Sequence, residues 1–160
     1  AAFSYSNCFI YSYKKDLGHA LTSDRSLAEF IAGFGFRNAG NQVLTISNSR
    51  YGFSADLHIE LDVAHDQVDD YMNDYERQAW IEPVSIDISE DAKISLSKDE
   101  KGRPQIKVPL PIFGLATVNM IGEIDLYYTV DDTFRPVLRR FEVIDFDGME
   151  RIKAGSCSID

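Results

Sequence analysis

The stretch Val118-Asn119-Met120-Ile121-Gly122-Glu123-Ile124-Asp125-Leu126-Tyr127-Tyr128-Thr129-Val130 alternates. Val118, Met120, Ile124, Leu126, Tyr128 and Val130 share one parity, and Glu123, Asp125, Tyr127 and Thr129 share the other. Successive side chains of a strand point to opposite faces, so this period predicts one long strand over 116–130 with a core face and a wetter face. The Asp131-Asp132 link joins it to a second apolar run, Val137 through Phe146. Two strands joined so closely pair antiparallel, because parallel neighbours need a crossover of about a dozen residues or more. That hairpin sets the fold class.

Working back toward the N-terminus, the pattern continues. Ile106, Val108 and Leu110 follow the polar turn Lys98-Asp99-Glu100-Lys101-Gly102, and Ile94 with Leu96, then Val84 with Ile86 and Ile88, alternate with polar residues. Pro109 and Pro111 must lie at a strand end or an edge, since proline cannot donate to a ladder. Leu57, Ile59, Leu61 and Val63 alternate with Asp56, His58, Glu60 and Asp62, and Val43, Leu44 and Ile46 precede them across the turn-rich Asn48-Ser49-Arg50-Tyr51-Gly52. This reads as a hairpin whose second strand buries the apolar parity. Residues 3–13 alternate large aromatics with small residues and read as a further strand.

Two segments carry the helical period. Leu27, Phe30, Ile31 and Phe34 form one stripe, with Ser23 or Asp24 able to cap its start and Gly35 its end. Val68, Tyr71, Met72, Tyr75 and Ala79 form another, with Asp66, Asp69 and Asp70 in the first turn, where the helix dipole favours negative charge. The expected fold is therefore α+β: a dominant antiparallel sheet, curled or closed into a half-barrel, with two short amphipathic helices. A β-sandwich with helical insertions is the alternative. The 160 residues show no repeat, linker or low-complexity tract and read as a single domain, 1–160.

Charge narrows the partners. The chain has 26 acidic and 16 basic side chains, a formal charge of -10. Binding to phosphate backbones or anionic headgroups requires clustered Lys and Arg, so nucleic acid is not an expected partner. No apolar run approaches the roughly 20 residues that cross a bilayer, so membrane insertion is not expected. Cys8 and Cys157 are the two cysteines, compatible with two separate thiols or one bridge.

The candidate site is the row Asp56, His58, Glu60, Asp62, whose members would stand about 7 Å apart along one strand face. Carboxylates beside a histidine can bind a hard cation or move protons, whereas the same residues also suit a solvated outer face. Asp145-Phe146-Asp147-Gly148, after the apolar Phe141, Val143 and Ile144, resembles the first motif of the haloacid-dehalogenase superfamily of phosphotransferases. That resemblance implies Asp145 as nucleophile and Asp147 as acid-base residue. Only a dozen residues follow Gly148, Met149 stands where that family has Thr or Val, and the downstream motifs are missing, so the segment reads as a strand running into a turn. It also lacks the later ligands of a calcium loop, and the chain has no nucleophile elbow, zinc spacing or phosphate-cradling glycine loop. No catalytic residue, metal or cofactor is expected.

Phe30, Phe34, Phe36 and Phe53 can line an apolar cavity, but a domain of this size needs such rings to fill its core. The functional expectation is a non-catalytic acidic β-rich protein that binds or assembles with other proteins, its partner a protein or a second copy. Two alternatives stand beside it: a cavity that holds a small apolar ligand or performs acid-base chemistry, and a cation-dependent binding protein. At least one of the strands 3–13 and 116–130 is expected at a sheet edge or subunit contact.

Overall fold

The computed structural model describes residues 9–11, 18–20, 25–59, 85–86, 94–113, 120–132, 135–147 and 150–159. In chain order the elements are β1 (Phe9–Tyr11), β2 (Gly18–Ala20), α1 (Arg25–Ala32), β3 (Phe34–Gly40), β4 (Val43–Asn48), β5 (Phe53–His58), β6 (Ser85–Ile86), β7 (Ser95–Lys98), β8 (Pro104–Phe113), β9 (Met120–Val130), β10 (Pro136–Asp147) and β11 (Glu150–Ser158). Every strand pair is antiparallel. A six-stranded sheet runs β11-β10-β9-β8-β6, with β7 also on β8; β3-β4-β5 form a second sheet, and β1-β2 pair separately.

The antiparallel sheet and the first helix match the sequence, and the face-to-face packing of the two larger sheets fits the sandwich arrangement. The second expected helix, over 66–80, lies outside the described residues. Three elements differ from expectation. Gly35 does not end α1; the helix stops at Ala32 and the chain enters β3 at Phe34. Residues 150–158, expected as turn and tail, form a nine-residue strand. Of the expected 116–130 strand, the described part, β9, is interior, because it pairs with β8 on one side and β10 on the other. Among the described residues β1 pairs with β2 alone.

Local chemistry explains the hairpins. Asn48 accepts a bond from the Arg50 amide at 3.2 Å, and Gly52 takes the left-handed φ of 60° that returns the chain into β5. Asp99 and Asp131 each accept the amide four residues on, closing the turns before β8 and β10. The two prolines of β8 sit in mid-strand, between the stretches paired with β7 (104–107) and with β6 (112–113). Among the described residues no ladder partner needs their missing amides on that side.

The core fills the space between the sheets. Leu44, Ile46, Leu57, Leu110, Ile112, Ile124, Leu126, Phe141 and Val143 are all fully buried. At its centre the Phe141 ring meets Phe30 of α1, Phe34, Tyr51 and Phe53 at centroid distances of 4.9–5.8 Å. These geometries are edge-to-face, which the ring quadrupole favours. Of the rings expected to line a cavity or fill the core, Phe30, Phe34 and Phe53 pack around Phe141, and Phe36 packs against the same core.

Two glycines bring the sheets together. A Cβ at Gly155 on β11 would stand 3.1 Å from the Phe53 ring and 3.2 Å from Ala55. One at Gly122 on β9 would stand 3.3 Å from both Leu57 methyl carbons. Successive inward residues of β5 therefore rest on different strands of the large sheet, and β5 crosses it at an angle.

Candidate functional site

In the expected row, Leu57 and Ile59 are buried and Asp56 and His58 exposed, whereas Glu60 and Asp62 lie outside the described residues. Asp56 accepts from the Thr45 hydroxyl at 2.7 Å across the β4-β5 pair. His58 meets a residue far away in sequence. Asp145 of β10, on the inward parity with Phe141 and Val143, accepts the His58 amide at 3.1 Å on both carboxylate oxygens and lies 2.8 Å from Nδ1. Its side chain is 6% exposed, against 68% for His58. The Ile59 amide bonds Gln42, so by alternation the His58 amide points to the outer edge of β5. Asp145 satisfies that edge donor and ties the two sheets together. The residue that resembled a phosphotransferase nucleophile is thus a buried inter-sheet acceptor on an interior strand. Among the described residues no three His, Cys, Asp or Glu side chains are grouped to hold a metal ion.

The face of the large sheet turned away from this core carries a second constellation. On β9, Glu123, Asp125 and Tyr127 are all buried, so the strand expected to have one wet face is covered on both. Lys107 of β8 reaches Asp125 Oδ2 at 2.8 Å. Arg151 of β11 pairs with Glu123, and Arg140 of β10 with Glu142. The Arg140 guanidinium lies 3.6 Å from the centroid of Tyr127, whose hydroxyl donates to Glu142 at 3.2 Å. Lys153 of β11 lies 4.0 Å from Glu142. A bulge between Leu138 and Arg140 turns Arg139 to this face as well, where its Nε donates to Thr129 at 2.8 Å.

The buried acids titrate unequally. Burial, and then the adjoining Glu123, push the Asp125 carboxyl up to about 6 against the opposing charge of Lys107. Asp125 Oδ1 is buried without a hydrogen-bond partner among the described residues, with Arg151 Nη2 3.8 Å away. Burial acts against ionised Glu123 too, but Asp125 and Arg151 beside it hold it below its ordinary value. Burial and the Glu142 charge raise the Tyr127 phenol to about 12.

This ionic lattice ends at β11, the longest strand with a single partner among the described residues. The Ile159 amide donates to Arg139 at 2.8 Å, so the alternation of an antiparallel pair turns the amides of Ser156 and Ser158 away from β10. Both serines are exposed. From Ala154 to Ser158 the edge has no charged side chain, whereas Arg151 and Lys153 stand at its start. Sequence reading missed β11 because its inward positions, Gly155 and Cys157, are small and carry no strand signal. The alternation of Arg151, Ile152 and Lys153 was the one local clue.

No family model matches the chain, and no curated protein or solved structure matches it. Among the described residues no helix is long and apolar enough to cross a membrane.

Proposed function

We propose that this domain binds other proteins by adding an extended strand of the partner to the edge of β11 that has no strand partner among the described residues. The carrying observation is the uncharged, small-residue stretch 154–158, with two outward amides on exposed serines. Natural sheets commonly protect such edges with charges, prolines or bulges. An edge left bare is the template that strand-addition partners use, with main-chain bonds supplying affinity. The competing edges are poorer. β7 has four residues, β5 has an outward amide already taken by Asp145, and β3 carries Arg37 at its centre and a bulge between Asn38 and Gly40, two of the devices that protect an edge. Asp56 and His58, exposed on β5, form a secondary contact surface in this proposal, which Glu60 and Asp62 join by the alternation of the sequence alone.

Ser156→Pro tests the reading, because proline removes an outward donor without touching the β10 ladder. Extended peptides selected from a random library on the wild-type domain should lose binding to the variant, while its melting curve stays near wild type. Peptides that bind both proteins equally would place the interface elsewhere.

A further inference from the structure

Resting on that strand-addition reading, we infer that the partner segment is acidic, with carboxylates on the side of the added strand that continues the outer face of the large sheet. Lys107, Arg139, Arg140, Arg151 and Lys153 share that face with Glu123, Asp125 and Glu142, five cations against three carboxylates. The chain as a whole carries -10. The local surplus therefore runs against the charge of the molecule, and it gathers at the β10-β11 border. Lys107 is spent on buried Asp125, and Arg151 on Glu123. Arg140 and Lys153 share the single carboxylate of Glu142. Arg139 meets only the Thr129 hydroxyl among the described residues. Arg139 and Lys153 are both exposed. The two least compensated cations thus flank the bare edge, one strand behind it and at its start.

The same geometry argues against a second copy as occupant. Two β11 strands paired antiparallel about Ser156 would set Ser158 against Ala154, and Lys153 of one copy in line with Arg139 and Arg140 of the other, because Ser158 is the register partner of Arg140. Like charges would then line up on one face two strands apart, where they repel and no carboxylate of β11 lies between them. An acidic segment in that place supplies the missing carboxylates instead. Electrostatic complementarity of this kind selects partners and speeds encounter more than it adds raw affinity.

Three synthetic peptides of one strand length, identical in their alternate apolar residues and carrying Glu, Gln or Lys between them, test this on the full chain by fluorescence anisotropy. At low salt the Glu peptide is expected to bind at least about tenfold more tightly than the Gln peptide, with the Lys peptide weakest, and the gap should narrow at high salt. Arg139→Ala with Lys153→Ala should remove most of the preference, bringing the Glu and Gln peptides to within about twofold of each other. Ser156→Pro should abolish binding of all three. Equal affinity for the Glu and Gln peptides, still lost in Ser156→Pro, would overturn the acidic partner and leave strand addition standing. Glu-peptide binding that survives Ser156→Pro would overturn strand addition, as would no binding by any peptide. Light scattering that shows a dimer of the wild type and a monomer of Ser156→Pro would make a second copy the occupant and sink the acidic segment.

Discussion

Gly122→Ala adds one carbon where β9 faces Leu57 of β5 and lies close to the backbone of β10, and its cost can be worked from the surroundings. The new Cβ would stand 2.8 Å from the backbone oxygen of Ile144 and 3.3 Å from both Leu57 methyl carbons. The methyls can swing away. The carbonyl cannot, because Ile144 is held in the ladder between β9 and β10, opposite Glu123, and paired with β11 on its other side. Overpacking a core costs about 1–3 kcal/mol, and an obstacle of backbone rather than side chain puts this substitution near the top, about 2–3 kcal/mol. Gly155→Ala is the matched control. Its Cβ meets the Phe53 ring at 3.1 Å, a side chain that can turn, so about 1 kcal/mol is expected. Urea unfolding followed by far-UV circular dichroism measures both. Double-mutant cycles separate the causes: Gly155→Ala with Phe53→Leu should show a coupling above about 0.5 kcal/mol, and Gly122→Ala with Leu57→Ala a smaller one. A Gly122→Ala protein as stable as wild type, or one restored by Leu57→Ala, would refute the claim that the carbonyl sets the limit.

Phe141→Ala is expected to cost about 4 kcal/mol in the same unfolding assay, because a fully buried ring with four aromatic neighbours leaves a cavity that α1 and both sheets border; a loss under about 2 kcal/mol would mean that these elements do not share one core. Asp125→Asn tests the buried acid pair through pH. With its pKa near 6 against an ordinary 3.8, folded Asp125 holds a proton that the unfolded chain has released, so its contribution is greatest below the ordinary value and is lost as pH rises through the folded one. Stability of the wild type relative to Asp125→Asn should therefore fall as pH rises between about 4 and 6. A difference that stays flat across that range would contradict the buried, uncompensated carboxyl.

The hairpin of β9 and β10 was legible because its apolar parity is unbroken, as was β4-β5, where Asn48 and Gly52 mark the turn. What failed was the meaning of the second parity of β9. Glu123 and Asp125 look like a wet face, yet they are buried beside long cations from two other strands, Lys107 of β8 and Arg151 of β11. Sequence alternation reports which residues share a face and is silent on what side chains from distant strands lay over it. His58 shows the same limit: its place in an alternating row was readable, but its partner Asp145 is 87 residues away in the chain. β3 was hidden by continuity, since Phe34 extends the apolar stripe of α1 while already belonging to a strand.

The small residues of β11 serve two demands that pull the same way. Gly155 is favoured by the close approach of Phe53 and Ala55 of β5, which must give way to any inward side chain placed there. Outward, Ser156 and Ser158 lie opposite Glu142 and Arg140, which already make contacts with Lys153 and Tyr127. A lysine at either serine would protect the edge but add a further cation to a face where five already meet three carboxylates. A glutamate would protect it equally and would relieve that surplus, so charge balance within the fold favours acid at those positions. The chain has serine there instead, which leaves both the open amides and the unmet positive charge for a carboxylate carried by another segment.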